Sequence, residues 1–243
     1  MIRFVVPLLI LFICLAPQAA EAYGCGCIHT GPAGQVRQAE QVLLVRTVSV
    51  TPASEGHRIE FDVLHTVKGE AVESFSWVRE YGGSPCKPNY QVGEVAMLFV
   101  RGDNLPFCGG NKFLWATLGQ FSEYLQRAGQ KPLPLSRTDM REALSATFKA
   151  YLHGRPMISA YYGPLAGKTL PLEDTRIRFR RPAKGQTTPG HFPEHALVVI
   201  NAARWRDMVS LSAVYRREGL IIRILLQDTG KGYTVLYQDV VER

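Results

Sequence analysis

Four cysteines follow a segment with the pattern of a secretory leader, and they constrain the fold more than any other feature of the chain. They are Cys25, Cys27, Cys86 and Cys108. The leader is recognised from Arg3, an apolar stretch over residues 4–16 and a small-x-small sequence over residues 20–22. The sequence therefore predicts a periplasmic or secreted protein with a signal peptide over residues 1–22, in a compartment where disulfides form.

The apolar stretch of the leader is shorter than the roughly 20 residues that a membrane-spanning helix needs. No later segment is long or uniform enough to span, so we expect no transmembrane segment. The formal net charge of the chain is +7. Outside the cytoplasm, such a charge favours an acidic protein or an anionic envelope component as partner, and we expect neither nucleic acid nor a cofactor.

The four exported cysteines can pair in three ways. A bond between Cys25 and Cys27 would close a very small, strained ring. Pairing each of them with Cys86 or Cys108 closes loops of roughly 60 to 80 residues, which stabilises the fold by about 4 kcal/mol in the chain-entropy model. We therefore favour two long bridges, with a redox-active Cys-Gly-Cys as the alternative.

Short strands dominate residues 23–129. Residues 58–67 alternate apolar and polar side chains, which indicates a half-buried antiparallel strand. The other segments that we predict as strands are residues 41–50, 74–79 and 95–100. Apolar residues at helical spacing then predict a helix within residues 115–128. The expected fold of this first domain is an all-β, OB-like barrel with a closing helix.

These residues resemble a known pattern. The pattern comprises Cys25-Gly26-Cys27, the strand at residues 42–50, Lys68-Gly69, Cys86 followed by residues 90–94 and an apolar strand, and Cys108 with Trp115 before a helix. It is similar to the N-terminal domain of tissue inhibitors of metalloproteinases and, more broadly, to the netrin-like module, a five-stranded OB-type barrel. The resemblance covers about residues 25–128. It implies disulfides between Cys25 and Cys86 and between Cys27 and Cys108.

In that inhibitor family, the α-amine and carbonyl of the first cysteine chelate the catalytic zinc of a protease. The resemblance therefore implies a binding edge at Cys25, Gly26, Cys27 and Ile28, with no metal bound by the chain alone. Cleavage after Gly24 would expose the amine of Cys25, whereas cleavage after Ala22 would not. Two hypotheses follow, a netrin-like binding protein and a metalloprotease inhibitor.

Residues 130–136 carry two prolines and are predicted to link the first domain to a second one over residues 137–243. Thr138 is expected to cap a helix that has Glu142 in its first turns. The predicted strands that follow are residues 176–181, 196–200, 208–215, 220–227 and 233–241. This order predicts an α+β domain with an antiparallel sheet, loosely similar to NTF2-like or cone-shaped domains. A pocket there would make the protein a periplasmic ligand carrier, a third hypothesis.

Arg176, Arg178 and Arg180 alternate with apolar residues, so a strand would place all three on one face. They are either an anion-binding site or the solvated face of the strand. His191 and His195 lie in a proline-containing loop without a completed ligand set, so we predict no metal site. We find no catalytic motif and predict no catalytic residue, and therefore a binding protein instead of an enzyme.

The exported protein is expected to carry no free thiol and to begin at Tyr23 if cleavage follows Ala22, or at Cys25 if cleavage follows Gly24. Intact mass gives the first residue, and alkylation without reduction counts the free cysteines. A first residue of Cys25 would favour metalloprotease inhibition. A disulfide between Cys25 and Cys27, or thiols that react under native conditions, would contradict the two long bridges.

Overall fold

The structure is a computed structural model and describes residues 31–80, 89–102, 105, 110–112, 119–148, 151 and 155–242. The leader, the four exported cysteines, Gly26 and Ile28 lie outside these residues. The predicted disulfides and the predicted binding edge at the start of the mature chain therefore stay predictions.

The N-terminal half forms a five-stranded antiparallel sheet and two short helices. Its elements are α1 (Pro32–Gln38), β1 (Gln41–Ala53), β2 (Gly56–Lys68), β3 (Ser74–Glu80), β4 (Val95–Val100), β5 (Gly110–Lys112) and α2 (Phe121–Arg127). The predicted strands at β1 to β4 are confirmed, and β4 has the predicted limits. Strand β1 runs three residues past its predicted end at residue 50, because its pairing with β2 continues to Ala53 and Gly56.

The predicted OB-like barrel is wrong. The strand order is β3-β2-β1-β4-β5, an open ladder in which β3 and β5 lie at opposite edges within the described residues. All six residues of β4 are buried. A strand that is apolar on both faces needs a cover on both faces, and the sheet obtains one of them from the second half of the chain and not by closing on itself.

The C-terminal half is also mostly β. Its elements are α3 (Arg137–Phe148), β6 (Met157–Tyr161), β7 (Thr169–Leu172), β8 (Thr175–Arg180), β9 (Ala196–Trp205), β10 (Met208–Tyr215), β11 (Leu220–Asp228) and β12 (Tyr233–Glu242). Among the described residues, no helix combines the length and the apolar character that crossing a membrane requires.

The predicted α+β domain with an antiparallel sheet is wrong as well. Seven strands in the order β12-β11-β10-β9-β6-β8-β7 form one curled sheet, against which the single helix α3 packs. Strand β6 runs parallel to both β8 and β9, so the sheet is mixed. Strands β6 and β7 were not predicted, because both are short and because Pro171 in β7 is typical of a loop. An edge strand such as β7 nevertheless tolerates proline.

Helix α3 fills the concave face of this sheet. Met140, Leu144 and Phe148 face the inner residues of the strands and are fully buried. Ser136 and Asp139 cap the helix reciprocally, because the Asp139 N–H donates to Ser136 Oγ at 3.1 Å and the Ser136 N–H donates to Asp139 Oδ2 at 3.0 Å. The cap predicted at Thr138 is therefore two residues too late.

Asp139 ties the helix to the sheet. Its Oδ1 accepts hydrogen bonds from Arg204 Nη1 at 2.5 Å and from the Tyr233 hydroxyl at 2.8 Å. Arg204 Nη2 also donates to Asp228 at 2.7 Å. Burial by itself would raise the pKa of Asp139, but hydrogen bonds from Ser136, Tyr233 and Arg204 outweigh burial and hold that pKa below 3.8.

The two halves share a hydrophobic core. One face of the N-terminal sheet, together with α1 and α2, packs on the convex face of the C-terminal sheet. The N-terminal half contributes Val42, Leu44, Met97, Phe99 and Phe121, among others, and the C-terminal half contributes Ala203, Trp205, Met208 and Leu225. The segment at residues 130–136 that joins the halves is bound to the C-terminal sheet, because Leu133 exchanges two backbone hydrogen bonds of 2.8 Å with Arg204.

A buried ion pair lies on the same convex face. Arg223 is 1% exposed, and its Nη1 lies 3.0 Å from Asp239 Oδ2 on the neighbouring strand. Arg223 is two residues from Leu225 and therefore points toward the N-terminal half. The layer between the sheets thus contains a desolvated charge as well as apolar side chains.

We expect Asp139→Asn to lower the free energy of unfolding by about 3 kcal/mol at neutral pH, because it leaves Arg204 facing an amide in a mostly buried site. Folding lowers the pKa of Asp139, so its stabilisation is complete above the unfolded pKa and is lost as the pH falls from there through the lower folded pKa. Urea unfolding across this pH range should show the gap between wild type and variant closing at low pH.

The matched control is Asp228→Asn, which removes the second carboxylate partner of Arg204 at a more exposed position. It should destabilise the protein clearly less. Equal losses for the two variants would contradict the central place of Asp139 in this network.

Candidate functional site

A cleft of about 500 Å³ opens where the two halves meet. We call it the junction cleft. Its walls come from the end of β2 and the turn after it, from the residues that follow α2, and from the turn between β9 and β10. The lining residues are Val63, Leu64, His65, Thr66, Val67, Lys68, Gly69, Ala71, Val72, Ala128, Gln130 and Arg206. The cleft is open to solvent on one side, and its volume lies in the range of small-molecule sites.

The β9–β10 hairpin brings Arg206 to the cleft. Trp205 pairs with Met208, so Arg206 and Asp207 form a two-residue turn. Arg206 has a φ of 55°, a conformation in which hairpins usually place glycine. An arginine in this conformation is less favourable than a glycine by about 1 kcal/mol, so the backbone at Arg206 is locally strained.

His65 and Asp207 join the two halves at the rim of the cleft. His65 Nε2 lies 2.5 Å from Asp207 Oδ1, although 142 residues separate them in the chain. Asp207 is fixed in turn from β11, since Gln227 Nε2 donates to its Oδ2 at 2.9 Å and the Asp228 N–H donates to its carbonyl at 2.7 Å. The carboxylate is therefore held in place before any ligand arrives.

Arg206 engages the other side of the same histidine. Its Nη1 lies 3.3 Å from His65 Nδ1, and its guanidinium stacks over Trp205 at 4.7 Å from the ring centroid. If Nδ1 accepts from Arg206, then Nε2 carries the proton and donates it to Asp207. Both ring nitrogens are thus engaged, so His65 is placed to orient neighbouring groups and not to take a proton from a substrate.

Gln130 and Lys68 complete the walls. Gln130 Nε2 donates to the Val67 carbonyl at 2.9 Å, and Trp205 Nε1 donates to Gln130 Oε1 at 3.2 Å. Lys68 Nζ donates to the carbonyls of Val36 and Ala39 at 2.8 and 2.5 Å and so caps the end of α1. Three elements from different parts of the chain are therefore locked together around the cleft.

The junction cleft continues into a second one, of about 440 Å³, that shares Lys68 and Ala128 with it. Arg37 and Arg127 line this second cleft. Together the two clefts present four cationic side chains, and none of the described residues that line them is a carboxylate. This combination of charges favours an anionic group over a cation or a neutral ligand.

The residues that the sequence singled out lie elsewhere. Arg176, Arg178 and Arg180 are exposed on β8, as the alternation predicted, and do not line either cleft. His191 lies in a short turn where its Nδ1 is 3.4 Å from Thr188 Oγ1. Within the described part of the chain, no three His, Cys, Asp or Glu side chains are grouped to hold a metal ion. Zinc chelation through Cys25 lies outside the described residues.

Comparisons of the chain with protein-family models, with curated proteins and with solved structures find no match. The likeness to a netrin-like module therefore stays a prediction, and the chemistry of the cleft has to be inferred from its residues. Sequence reasoning missed His65, Asp207 and Arg206, because they meet only through the packing of the two sheets. The one local signal was a charged Arg-Asp pair between two apolar strands, where a glycine-containing turn is usual.

We expect His65 and Asp207 to stabilise each other by about 1 kcal/mol, measured as the coupling free energy in a cycle of His65→Ala, Asp207→Ala and the double variant. Urea unfolding of the four proteins gives this value. The control is a cycle on Arg141 and Glu142, an exposed pair at 2.9 Å, whose coupling should be near zero. Equal coupling in the two cycles would contradict a tie between the halves at this site.

Proposed function

We propose that the protein is a secreted or periplasmic binding protein, stapled by disulfides, that takes an anionic, carboxylate-bearing ligand in the junction cleft. The observation that carries this proposal is Arg206, a guanidinium held at the cleft in a backbone conformation that glycine would adopt more easily. Residues kept in such conformations occur preferentially at functional sites.

The surroundings of Arg206 support binding over catalysis. Its guanidinium is oriented by Trp205 on one side and by His65 on the other, which lowers the entropy lost when an anion binds. A planar guanidinium can bind a carboxylate through two parallel hydrogen bonds. His65 has both ring nitrogens engaged, so it offers no free base for a reaction.

The walls of the cleft fit the remainder of such a ligand. Val63, Val67, Ala71, Val72 and Ala128 provide aliphatic surface close to the cations. A ligand with an acidic group and an apolar body, such as an acidic peptide segment, would bury the body on these walls and pair its charge with Arg206. Burial of the apolar part would supply affinity and the guanidinium would supply orientation.

Arg206→Gly tests the proposal sharply, because it removes the charge and relieves the backbone. We expect the variant to unfold within about 1 kcal/mol of wild type, since the relieved strain offsets the lost contacts of the guanidinium. Ligand binding should weaken by about tenfold or more, the loss typical of a charge-assisted hydrogen bond. Titration calorimetry with citrate, inorganic phosphate and an oligoglutamate peptide provides the measurement.

The chain offers a matched control in Glu173→Gly. Glu173 holds the equivalent position in the two-residue turn between β7 and β8, also with positive φ, at 36°. This variant should keep the binding of wild type. If none of the three probes binds, or if Arg206→Gly binds them as wild type does, the proposal is wrong.

A further inference from the structure

The convex face of the C-terminal sheet carries a second basic feature on β8. Strand β6 separates β8 from β9, which leads to the turn at the junction cleft. Arg176, Arg178 and Arg180 are exposed on β8, while the residues between them are buried in the core. Successive members of this arginine row are about 6.6 Å apart along the strand, twice the rise per residue. The row is therefore regularly spaced.

The register of the neighbouring strands places no charged residue directly opposite the arginine row. On β6, the residues opposite the three arginines are Met157, Ser159 and Tyr161. On β7, Pro171 lies opposite Arg176 and Thr169 lies opposite Arg178. None of these five neighbours is acidic, and within the described residues the three guanidiniums form no ion pair or side-chain hydrogen bond.

This isolation contrasts with three other arginines of the same half. Arg155, Arg204 and Arg223 each pair with a carboxylate. In the arginine row, adjacent like charges repel each other, weakly in water and less as salt is added. A bound anion would remove that repulsion, so the row is better suited to binding than to stabilising the fold.

The surface beside the row favours one kind of anion. The hydroxyls of Ser159 and Thr169 flank Arg178 on either side, and the half-exposed ring of Tyr161 lies next to Arg180. Alternating cations and hydroxyls with an aromatic ring at one end match a chain of sugars that carry carboxylates. The guanidiniums would pair with the acid groups, the hydroxyls with sugar hydroxyls, and the ring would pack on a sugar face.

A loop alongside the row restricts the shape of the partner. Phe192 packs against Tyr161 at 4.7 Å between ring centroids and covers Ala196 and Val198 on the convex face. Gln186 holds this loop, accepting a hydrogen bond from the Ala183 N–H at 2.8 Å and donating to the His191 carbonyl at 3.0 Å. The N-terminal half also covers this convex face at β9 to β11, so a linear chain lying along β8 fits the face better than a flat bilayer does.

We propose that the arginine row is a binding site for a linear acidic polysaccharide lying along β8. This site is separate from the junction cleft, and neither site requires the other. Its acid groups would bind Arg176, Arg178 and Arg180 in succession, with Ser159, Thr169 and Tyr161 contacting the sugars. The protein would thereby be held on an anionic polymer while its cleft stays open.

The test compares the full exported protein with the triple variant Arg176→Gln, Arg178→Gln and Arg180→Gln. Polygalacturonate is the probe, and calorimetry or retention on the immobilised polymer measures binding. We expect the variant to bind about tenfold more weakly or worse and to lose much of the salt dependence, because fewer counterions are released. The three side chains are exposed, so the melting temperature should stay that of wild type.

The matched control is Arg58→Gln, Arg137→Gln and Arg217→Gln, which removes three exposed arginines outside the row and gives the same net charge. This variant should bind polygalacturonate as wild type does. An equal loss in both triple variants would show attraction by overall charge and would overturn the site, and so would the absence of binding by wild type. Tighter binding to polyphosphate, or to phosphatidylcholine vesicles containing phosphatidylglycerol, would overturn the polysaccharide as occupant.

Arg206→Gly separates this proposal from the function proposed for the cleft. It should leave polygalacturonate binding unchanged, while the triple variant should keep the citrate binding of wild type. Loss of polygalacturonate binding on Arg206→Gly would place the polymer in the cleft and overturn the proposal for the arginine row.

Discussion

The burial of one face of the N-terminal sheet on the convex face of the C-terminal sheet is the contact on which the remaining structure depends. Trp205 and Met208, the last and first residues of β9 and β10, are both anchored in that shared core. The turn between them is consequently fixed beside β2, which is how Arg206 and Asp207 reach His65. The junction cleft is thus a result of sheet packing, and its polar contacts refine a geometry that apolar burial has already set.

The arginines of the C-terminal half fall into two groups by their partners. Arg204 pairs with Asp139 of α3 and Asp228 of β11, and Arg223 pairs with Asp239 of β12, so both arginines belong to the internal framework of the fold. Arg206 and the arginine row face outward with no carboxylate opposite them in the described residues. A net charge of +7 therefore does not describe a uniform basic surface. The positive charge that has no carboxylate opposite it within the described residues is concentrated at Arg206 and at the arginine row.

The sequence predicted the strands well, because period-two alternation and β-branched runs are local signals. It placed β4 and β10 at their observed limits, and it placed the three arginines of β8 on one face. Closure of the first sheet could not be inferred, since β4 reads as apolar on both faces whether a barrel or a second sheet covers it. The pairing of His65 with Asp207 could not be predicted either, because it depends on how the two halves pack against each other. The helix cap was predicted two residues too late, because Ser136 and Thr138 are both good capping residues. Only the reciprocal hydrogen bonds between Ser136 and Asp139 distinguish them.

The complete burial of β4 has a consequence for the unfolded chain. Residues 95–100 contain no charge and no proline, and such six-residue segments assemble readily into intermolecular β-structure when exposed. Glu94 and Arg101 flank the segment and act as gatekeepers against self-association. Until both covering layers have docked, this strand can pair with the same segment of another chain.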